Sequence, residues 1–168
     1  MKIYPNLNII VAVGRNLEIG CKNQLLCHLP NDLKYFKSQT IDSVVVMGEN
    51  TYFSLPIKPL PKRKNIVLSA RQEADFEDCI TLHSIEEVLK AIENEKKVFI
   101  MGGASVYKQF LPYVSMLYVT KIDADFPQAD VFFPNIDSLI WREIQSISHP
   151  ADAQHPYAYQ FCVFERVV

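Results

Sequence analysis

The chain has 168 residues, of which 49% are hydrophobic and 21% charged, and its formal net charge is −2. This composition can form a packed core, argues against global disorder, and lacks the basic excess of a nucleic-acid-binding face. The first apolar run covers only residues 9–13, too short for a signal peptide or a membrane span. We therefore expect one domain over residues 1–168, located in the cytoplasm, without nucleic-acid or membrane partners.

Short runs of β-branched and apolar residues recur along the chain. They cover residues 7–13, 43–47, 65–69, 97–101 and 116–122. Several are continuously apolar, which is typical of strands that are buried on both faces of a parallel sheet.

Helical patterns lie between these runs. Pro30 stands at the first position of one predicted helix, and Ser84 and Glu87 have the spacing of a capping box in another. A third predicted helix follows two glycines and ends before Pro112. The alternation predicts an α/β fold with a mainly parallel sheet. Residues 142–148 and 158–167 predict two strands with no helix between them, so we expect them to pair antiparallel.

The four cysteines are Cys21, Cys27, Cys79 and Cys162. They form no C-x-x-C pair and lack the spacing of a metal site, so we interpret them as free thiols. His28 follows Cys27 directly, but neighbouring side chains point in different directions and nothing nearby orients the imidazole. A Cys–His nucleophile is therefore a poor hypothesis.

Asp32 lies at the edge of an apolar stripe on the helix that Pro30 begins. At 3.6 residues per turn it falls roughly 60° from Leu29, at the edge of the stripe that Leu29, Leu33 and Phe36 define. It could be a solvated acid that interacts with the helix dipole, or a carboxylate that lines an apolar pocket, where burial would raise its pKa. These residues alone favour the solvated acid.

Two glycine junctions connect a predicted strand to a predicted helix. One contains Gly102 and Gly103, and the other contains Gly48 before Asn50 and Thr51. Such junctions can hold phosphate, although glycine is also common there for steric reasons alone. Together they indicate a long ligand at the carboxyl ends of the strands. The basic residues 62–64 are either a solvated loop or the source of a carboxylate clamp.

Taken in order, these segments resemble dihydrofolate reductases. The resemblance runs nearly end to end and includes "LPNDLKYFK", "MGENTY", "LPKRKNIVLS", "IMGGASVYKQFLP" and "ADAQHPYAYQFCVFER". It implies a three-layer, single-domain α/β fold with an eight-stranded, mostly parallel sheet, an antiparallel C-terminal strand and about four helices. It also implies a monomer that reduces 7,8-dihydrofolate to 5,6,7,8-tetrahydrofolate with NADPH, by hydride transfer to C6 and protonation at N5.

The resemblance reverses the interpretation of Asp32. It implies that Asp32 binds the 2-amino group and N3 side of the pterin and assists protonation of N5, and that Thr120 orients Asp32 by a hydrogen bond. It also implies that Arg63 grips the glutamate α-carboxylate of the substrate. The remaining substrate-site residues that it implies are Ile10, Leu33, Phe36, Leu55, Leu60, Met101 and Tyr107.

The resemblance further implies three groups of residues along an NADPH site and no metal. The nicotinamide pocket contains Ala12, Ile19 and Leu25, and the 2′-phosphate of the adenosine lies at Ser69 and Arg71. The two junctions between them contribute Gly48, Asn50, Thr51, Gly102, Gly103, Ala104, Ser105 and Val106.

Departures from the family pattern leave alternatives open. Leu26 and Cys27 stand where many members have Pro-Trp, and Glu49 stands where a cation is common near the cofactor phosphates. We therefore expect a weaker preference for NADPH over NADH than is usual in the family. A reductase of another heterocycle, such as a riboflavin-pathway pyrimidine, and an inactive binding protein are the alternatives. Asp32 and Arg63 together favour folate, because one ligand must then present a guanidine-like edge and a carboxylate.

Overall fold

The computed structural model describes residues 2–20 and 25–168. Its elements are the strands β1 (Tyr4–Val13), β2 (Glu18–Gly20), β3 (Val44–Gly48), β4 (Lys64–Leu68), β5 (Ile80–Leu82), β6 (Val98–Ile100), β7 (Val114–Ile122), β8 (Val131–Phe132), β9 (Trp141–His149) and β10 (Tyr159–Arg166), and the helices α1 (Pro30–Thr40), α2 (Glu49–Ser54), α3 (Ile85–Ala91) and α4 (Ala104–Phe110). A 3₁₀ turn, Leu111–Tyr113, follows α4.

Eight of these strands form one sheet in the order β5-β4-β3-β6-β1-β7-β10-β9. The pairs from β5 to β7 are parallel, whereas β10 is antiparallel to both β7 and β9. Strands β2 and β8 pair separately as a two-stranded ribbon. The predicted α/β fold, with its mostly parallel sheet, antiparallel C-terminal pairing and four helices, is confirmed.

The central strands are apolar because both faces of the sheet are covered. In β3 the side chains alternate between two clusters: Val44 and Val46 join the main core, and Val45 and Met47 join a second cluster with Tyr52. All three residues of β6 are buried as well. Burial on both faces accounts for the continuous apolar runs that predicted these strands.

The helix boundaries follow local sequence signals. Pro30 is the first residue of α1, as predicted. At the start of α3 the Ser84 hydroxyl accepts a hydrogen bond from the Glu87 backbone N–H at 3.1 Å, which is the half of a capping box that the N-cap side chain supplies. No helix in the described residues is long and apolar enough to cross a membrane.

Three short strands were not predicted. β2, β5 and β8 have only two or three residues each, which is too short to show a periodic pattern.

The thiols of Cys27, Cys79 and Cys162 are free, and the prediction for Cys21 lies outside the described residues.

Candidate active site

The predicted acid and the predicted nicotinamide residues line one pocket. This pocket lies where the start of α1 faces β1, β2 and β7, and its lining residues are Ala12, Ile19, Leu25, Leu26, Cys27, His28, Leu29, Asp32, Leu33 and Ile122. Sequence reasoning identified five of the ten, namely Ala12, Ile19, Leu25, Asp32 and Leu33. It assigned no ligand contact to Ile122, a β7 residue that looks like ordinary core in the sequence.

Asp32 is fixed by a short hydrogen bond from the sheet. The hydroxyl of Thr120 donates to Oδ1 of Asp32 at 2.6 Å, as the resemblance implies. Thr120 is itself buried on β7, where it pairs with Ala12 of β1. Burial raises the pKa of Asp32 above its ordinary value, and the hydrogen bond from Thr120 offsets only part of that rise. Asp32 is therefore an oriented acid that resists ionisation.

His155 caps the helix that carries Asp32, a contact that sequence reasoning missed. The N-cap residue Leu29 makes no side-chain cap, and the backbone N–H of Asn31 donates instead to Nε2 of His155 at 3.1 Å. The carboxylate of Asp152 lies 2.7 Å from Nδ1 of the same ring, so Nδ1 carries the proton and Nε2 accepts. Asn31 also donates its side-chain amide to the Tyr159 hydroxyl at 2.8 Å. These contacts anchor the first turn of α1 to the β9–β10 connection.

The thiol of Cys27 lines the same pocket, but it is not poised as a nucleophile. Burial, together with the charge of Asp32, raises the pKa of Cys27. A reactive cysteine needs the opposite shift, so this environment does not favour a Cys27–His28 nucleophile.

Arg63 makes its polar contacts with neutral groups. Its Nη1 donates to the Thr40 hydroxyl at 3.0 Å and its Nε to the Pro61 carbonyl at 2.9 Å, and its guanidinium lies 6.0 Å from the centre of the Phe36 ring. None of the ion pairs among the described residues includes Arg63. Partial burial lowers its pKa. A half-buried, oriented cation of this kind can bind an anionic group of a ligand.

The other predicted substrate residues divide into two groups. Leu55, Leu60 and Met101 are partly buried and pack against the cluster of Val45, Met47, Tyr52, Val67 and Phe76. Ile10 and Tyr107 are buried, and the Tyr107 hydroxyl donates to the Ile10 carbonyl at 2.8 Å. Burial raises the pKa of Tyr107, which keeps this hydroxyl protonated. Tyr107 thus has a place in the core, and a contact with substrate stays a prediction for it.

The predicted cofactor residues follow the carboxyl edge of the sheet. The strand order β4-β3-β6-β1 arranges Ser69 and Arg71, then Gly48, then Gly102 and Gly103, then Ala12. Three strand spacings of about 4.8 Å separate the first group from the last, so the path is roughly 14 Å long. An extended ligand such as a dinucleotide would meet all four groups in that order.

The two glycine junctions on this path are tightly packed. The Gly48 N–H donates to the Gly102 carbonyl at 2.8 Å. A Cβ on Gly48 would lie 3.0 Å from Val106, and a Cβ on Gly102, whose φ is +132°, would lie 3.1 Å from the Thr51 hydroxyl. The peptide between Gly102 and Gly103 is cis. Side chains at Gly48 or Gly102 would therefore clash with their neighbours, which accounts for glycine at both junctions.

The helix starts beside these junctions also fit a phosphate-bearing cofactor. Neither α2 nor α4 has a side-chain cap, so side chains do not occupy the first backbone N–H groups. Asn50 and Ser105 are exposed, Thr51 and Ala104 are half-buried, and Val106 is buried in the core beneath Gly48. The residues present thus fit NADPH, with Val106 as packing support for the junction.

At the outer end of this path Arg71 pairs with Glu49. The Arg71 Nε donates to Oε1 of Glu49 at 2.8 Å, and Nη2 contacts the same oxygen. Sequence reasoning placed both residues near the cofactor but did not predict that they bind each other. The two residues are 22 positions apart in the chain, so the sequence gives no local signal of the contact.

Residues 6–166 match the family model of dihydrofolate reductase. The chain belongs to the dihydrofolate reductase family. It is 37% identical over 160 residues to the dihydrofolate reductase of Bacillus subtilis, covering 95% of this chain and 94% of that one. It is also 37% identical over 164 residues to the enzyme of Staphylococcus haemolyticus, covering 98% of each chain.

A solved structure agrees with this assignment. Dihydrofolate reductase from Enterococcus faecalis, complexed with NADP(H) and RAB-propyl, matches with a TM-score of 0.90 and 32% identity over 100% of both chains. Dihydrofolate reductases are NADPH-dependent oxidoreductases that reduce dihydrofolate. The family, the activity and the cofactor predicted from the sequence are therefore confirmed.

Proposed function

We propose that this chain reduces 7,8-dihydrofolate to tetrahydrofolate with Asp32 as its essential acid and Thr120 as the residue that orients it. The observation that carries the proposal is the 2.6 Å hydrogen bond between the two side chains, in an apolar pocket that also contains Ala12 and Ile19. Bound NADPH supplies the hydride that passes to C6. The protein must bind the pterin, orient it and favour its protonation at N5.

The environment of Asp32 is suited to binding the pterin. Without a ligand, burial disfavours its charged form. The 2-amino group and N3 side of a pterin present N–H donors, and hydrogen bonds from these donors favour the carboxylate. Oδ1 of Asp32 already accepts from Thr120, which fixes the plane in which the carboxyl group meets the ligand. The negative charge then stabilises the N5-protonated pterin, which is the form that accepts a hydride at C6.

Arg63 and the apolar residues complete the proposed substrate site. We assign the glutamate α-carboxylate to Arg63, because it is an oriented cation outside the ion pairs of the described residues. Leu33, Phe36, Leu55, Leu60, Met101 and Ile10 are proposed to enclose the pterin and the ring that follows it. Apolar walls also exclude water, which strengthens the interaction between Asp32 and the pterin.

A steady-state assay of NADPH oxidation with dihydrofolate tests the proposal. Asp32→Asn keeps the shape and the Thr120 hydrogen bond but removes the charge, so kcat/KM should fall at least about a hundredfold at pH 7. Glu86→Gln is the matched control, because Glu86 is an exposed acid in the first turn of α3. Near-normal activity of Asp32→Asn would mean that Asp32 is only an acid at a helix terminus and not the essential acid.

The same assay distinguishes the alternative functions. Oxidation of NADPH with an aminopyrimidine but not with dihydrofolate would favour a riboflavin-pathway reductase. Binding of both ligands without turnover would favour an inactive binding protein. Asp32 and Arg63 argue for dihydrofolate because one ligand must satisfy both groups.

We further propose that one copy of the chain, folded as one domain over residues 1–168, is active by itself. All the proposed site residues lie on this chain, and its main sheet runs from Tyr4 to Arg166. The specific activity should stay constant on dilution, and light scattering should give the mass of one chain. Location in the cytoplasm and independence from nucleic acid stay predictions from the sequence.

A further inference from the structure

Arg71, one of the two residues proposed to hold the 2′-phosphate of NADPH, is engaged by a carboxylate of the chain itself. Nε and Nη2 of Arg71 donate to Oε1 of Glu49. The Ser69 hydroxyl accepts a hydrogen bond from the Arg71 backbone N–H at 3.2 Å. Glu49 thus occupies the guanidinium that a ligand phosphate would need at this end of the path.

The fold places this contact directly on the proposed cofactor path. Glu49 is the first residue of α2 and follows β3, while Ser69 and Arg71 follow β4. The two strands are parallel neighbours in which Gly48 pairs with Leu68, so their carboxyl ends lie side by side. The hydrogen bond from Arg71 lowers the pKa of Glu49, which keeps the carboxylate charged at neutral pH.

We propose that Glu49 determines cofactor specificity by competing with the 2′-phosphate of NADPH for Arg71. A bound 2′-phosphate must either displace Glu49 from the guanidinium or lie beside a carboxylate of like charge, and both weaken binding. NADH has no 2′-phosphate, so it meets neither obstacle. Glu49 therefore lowers the affinity for NADPH selectively. This inference rests on the proposed function, because that function assigns the 2′-phosphate to Ser69 and Arg71.

Nucleotide binding tests the competition without turnover. Adenosine 2′,5′-bisphosphate and adenosine 5′-monophosphate differ only in the 2′-phosphate, so the ratio of their dissociation constants by calorimetry isolates that group. Glu49→Gln should raise the preference for the bisphosphate about tenfold, which corresponds to about 1.4 kcal/mol. The affinity for the monophosphate should not change.

Glu165→Gln provides a matched control. Glu165 pairs with Arg142 between β10 and β9, in an exposed contact of the same kind that lies away from the β4-β3-β6-β1 edge. Its removal should leave the preference for the bisphosphate unchanged. If Glu165→Gln raised the preference as much as Glu49→Gln, the effect would come from net charge alone, and the proposal would be overturned.

The same substitution in an Arg71→Gln protein separates competition for Arg71 from simple repulsion of the phosphate. If Glu49 occupies the guanidinium, the gain from Glu49→Gln should be several times smaller in an Arg71→Gln protein, because no guanidinium can be released. If Glu49→Gln raised the preference for the bisphosphate equally in the parent and in the Arg71→Gln protein, Glu49 would only repel the phosphate. The proposed competition for Arg71 would then be wrong. If Glu49→Gln raised the preference for the bisphosphate in neither protein, the proposal would also be overturned.

Failure of the inference can be told apart from failure of the proposed function. A protein that reduces dihydrofolate but shows no gain on Glu49→Gln keeps its function and loses this account of specificity. A protein that shows the predicted gain but does not reduce dihydrofolate supports the role of Glu49 and overturns the proposed function. In an active enzyme, Glu49→Gln should lower KM for NADPH about tenfold more than KM for NADH.

Discussion

At the scale of single residues, the charge of Asp32 should reduce folding stability while it supports activity. Its folded-state pKa is raised, so the folded protein binds the proton more tightly than the unfolded chain. Stability is therefore lost as pH rises from the unfolded value of about 3.9 through the raised folded value. Asp32→Asn removes this loss and should stabilise the protein at pH 7 by on the order of 1 kcal/mol.

Urea unfolding of both proteins between pH 3 and pH 8 measures this difference. The increase in unfolding free energy from Asp32→Asn should be absent near pH 3 and complete above the raised pKa of Asp32. Glu86→Gln should show no comparable pH dependence, because Glu86 is exposed. A variant that is less stable than the parent at pH 7 would mean that the charged Asp32–Thr120 hydrogen bond outweighs the effect of burial.

Arg63 should matter only for ligands that carry the glutamate. Arg63→Leu removes the proposed partner of the α-carboxylate, and loss of one member of such a pair costs about 2–5 kcal/mol. We expect the dissociation constant for dihydrofolate to rise by at least about thirtyfold. Dihydropteroate, which lacks the glutamate, should bind nearly as before. Fluorescence titration with both ligands provides the comparison.

Equal losses for the two ligands would point to a structural role. Arg63 donates to Thr40 and to the Pro61 carbonyl, so its removal could disturb the end of α1. An unfolding curve for the variant would reveal such damage. The ratio of the two dissociation constants cancels any effect that both ligands share.

Single residues also mark the limit of sequence-based prediction. The resemblance implied the Asp32–Thr120 hydrogen bond, and the structure contains it. It did not imply the cap on α1, because His155 lies 124 residues from Asn31 in the chain. A polar loop gives no periodic or motif signal of what its side chains will contact. Contacts of this kind depend on the assembled fold.

At the scale of elements, Glu18 connects the β1–β2 turn to a distant loop. It is only 2% exposed, and its two carboxylate oxygens accept from the backbone N–H groups of Asn16 and Phe126, both at 2.7 Å. A Cβ on Gly14 would lie 2.6 Å from Oε1 of Glu18, so a side chain at position 14 would displace the carboxylate. This turn leads into β2, which contains the pocket residue Ile19.

Glu18→Gln should destabilise the protein by about 2–3 kcal/mol at pH 7, because its NH₂ group would face a backbone donor. Burial opposes ionisation of Glu18, but the backbone hydrogen bonds outweigh it and lower the pKa. The parent therefore loses this stabilisation as pH falls below the ordinary value of about 4.3 through the lowered one.

Unfolding curves at pH 7 and pH 3 would check the role of Glu18. The difference between parent and Glu18→Gln should be smaller at pH 3, and Glu86→Gln again serves as the exposed control. A difference that does not depend on pH would mean that the shape of the side chain, rather than its charge, holds the turn.

The elements themselves were predictable to different degrees. Pro30 and Ser84 identified the starts of α1 and α3, because helix caps are local signals. β1 begins at Tyr4, earlier than its apolar run indicates, because Tyr4 pairs with Val114 of β7. Such an extension depends on the partner strand and leaves no trace in the sequence of β1 itself.

At the scale of the whole molecule, the alternation of strands and helices was sufficient to predict a parallel sheet, and the resemblance supplied the number of strands. The strand order could not be derived from hydrophobic patterns, because β3, β6 and residues 9–13 of β1 are similar apolar runs. Yet this order aligns Arg71, Gly48, Gly102 and Ala12 along one edge. The candidate cofactor site is thus a property of topology more than of any single motif.

The central position of β1 also constrains how the protein can be made. β1 leaves the ribosome before both of its neighbours in the sheet, because β6 begins at Val98 and β7 at Val114. Asn8 donates to the Val98 carbonyl, 90 residues later. At about 5–20 residues per second, the nascent strand waits roughly 5–18 s for that partner. During this interval an apolar strand is unpaired, so the growing polypeptide should depend on chaperones until its second half has emerged.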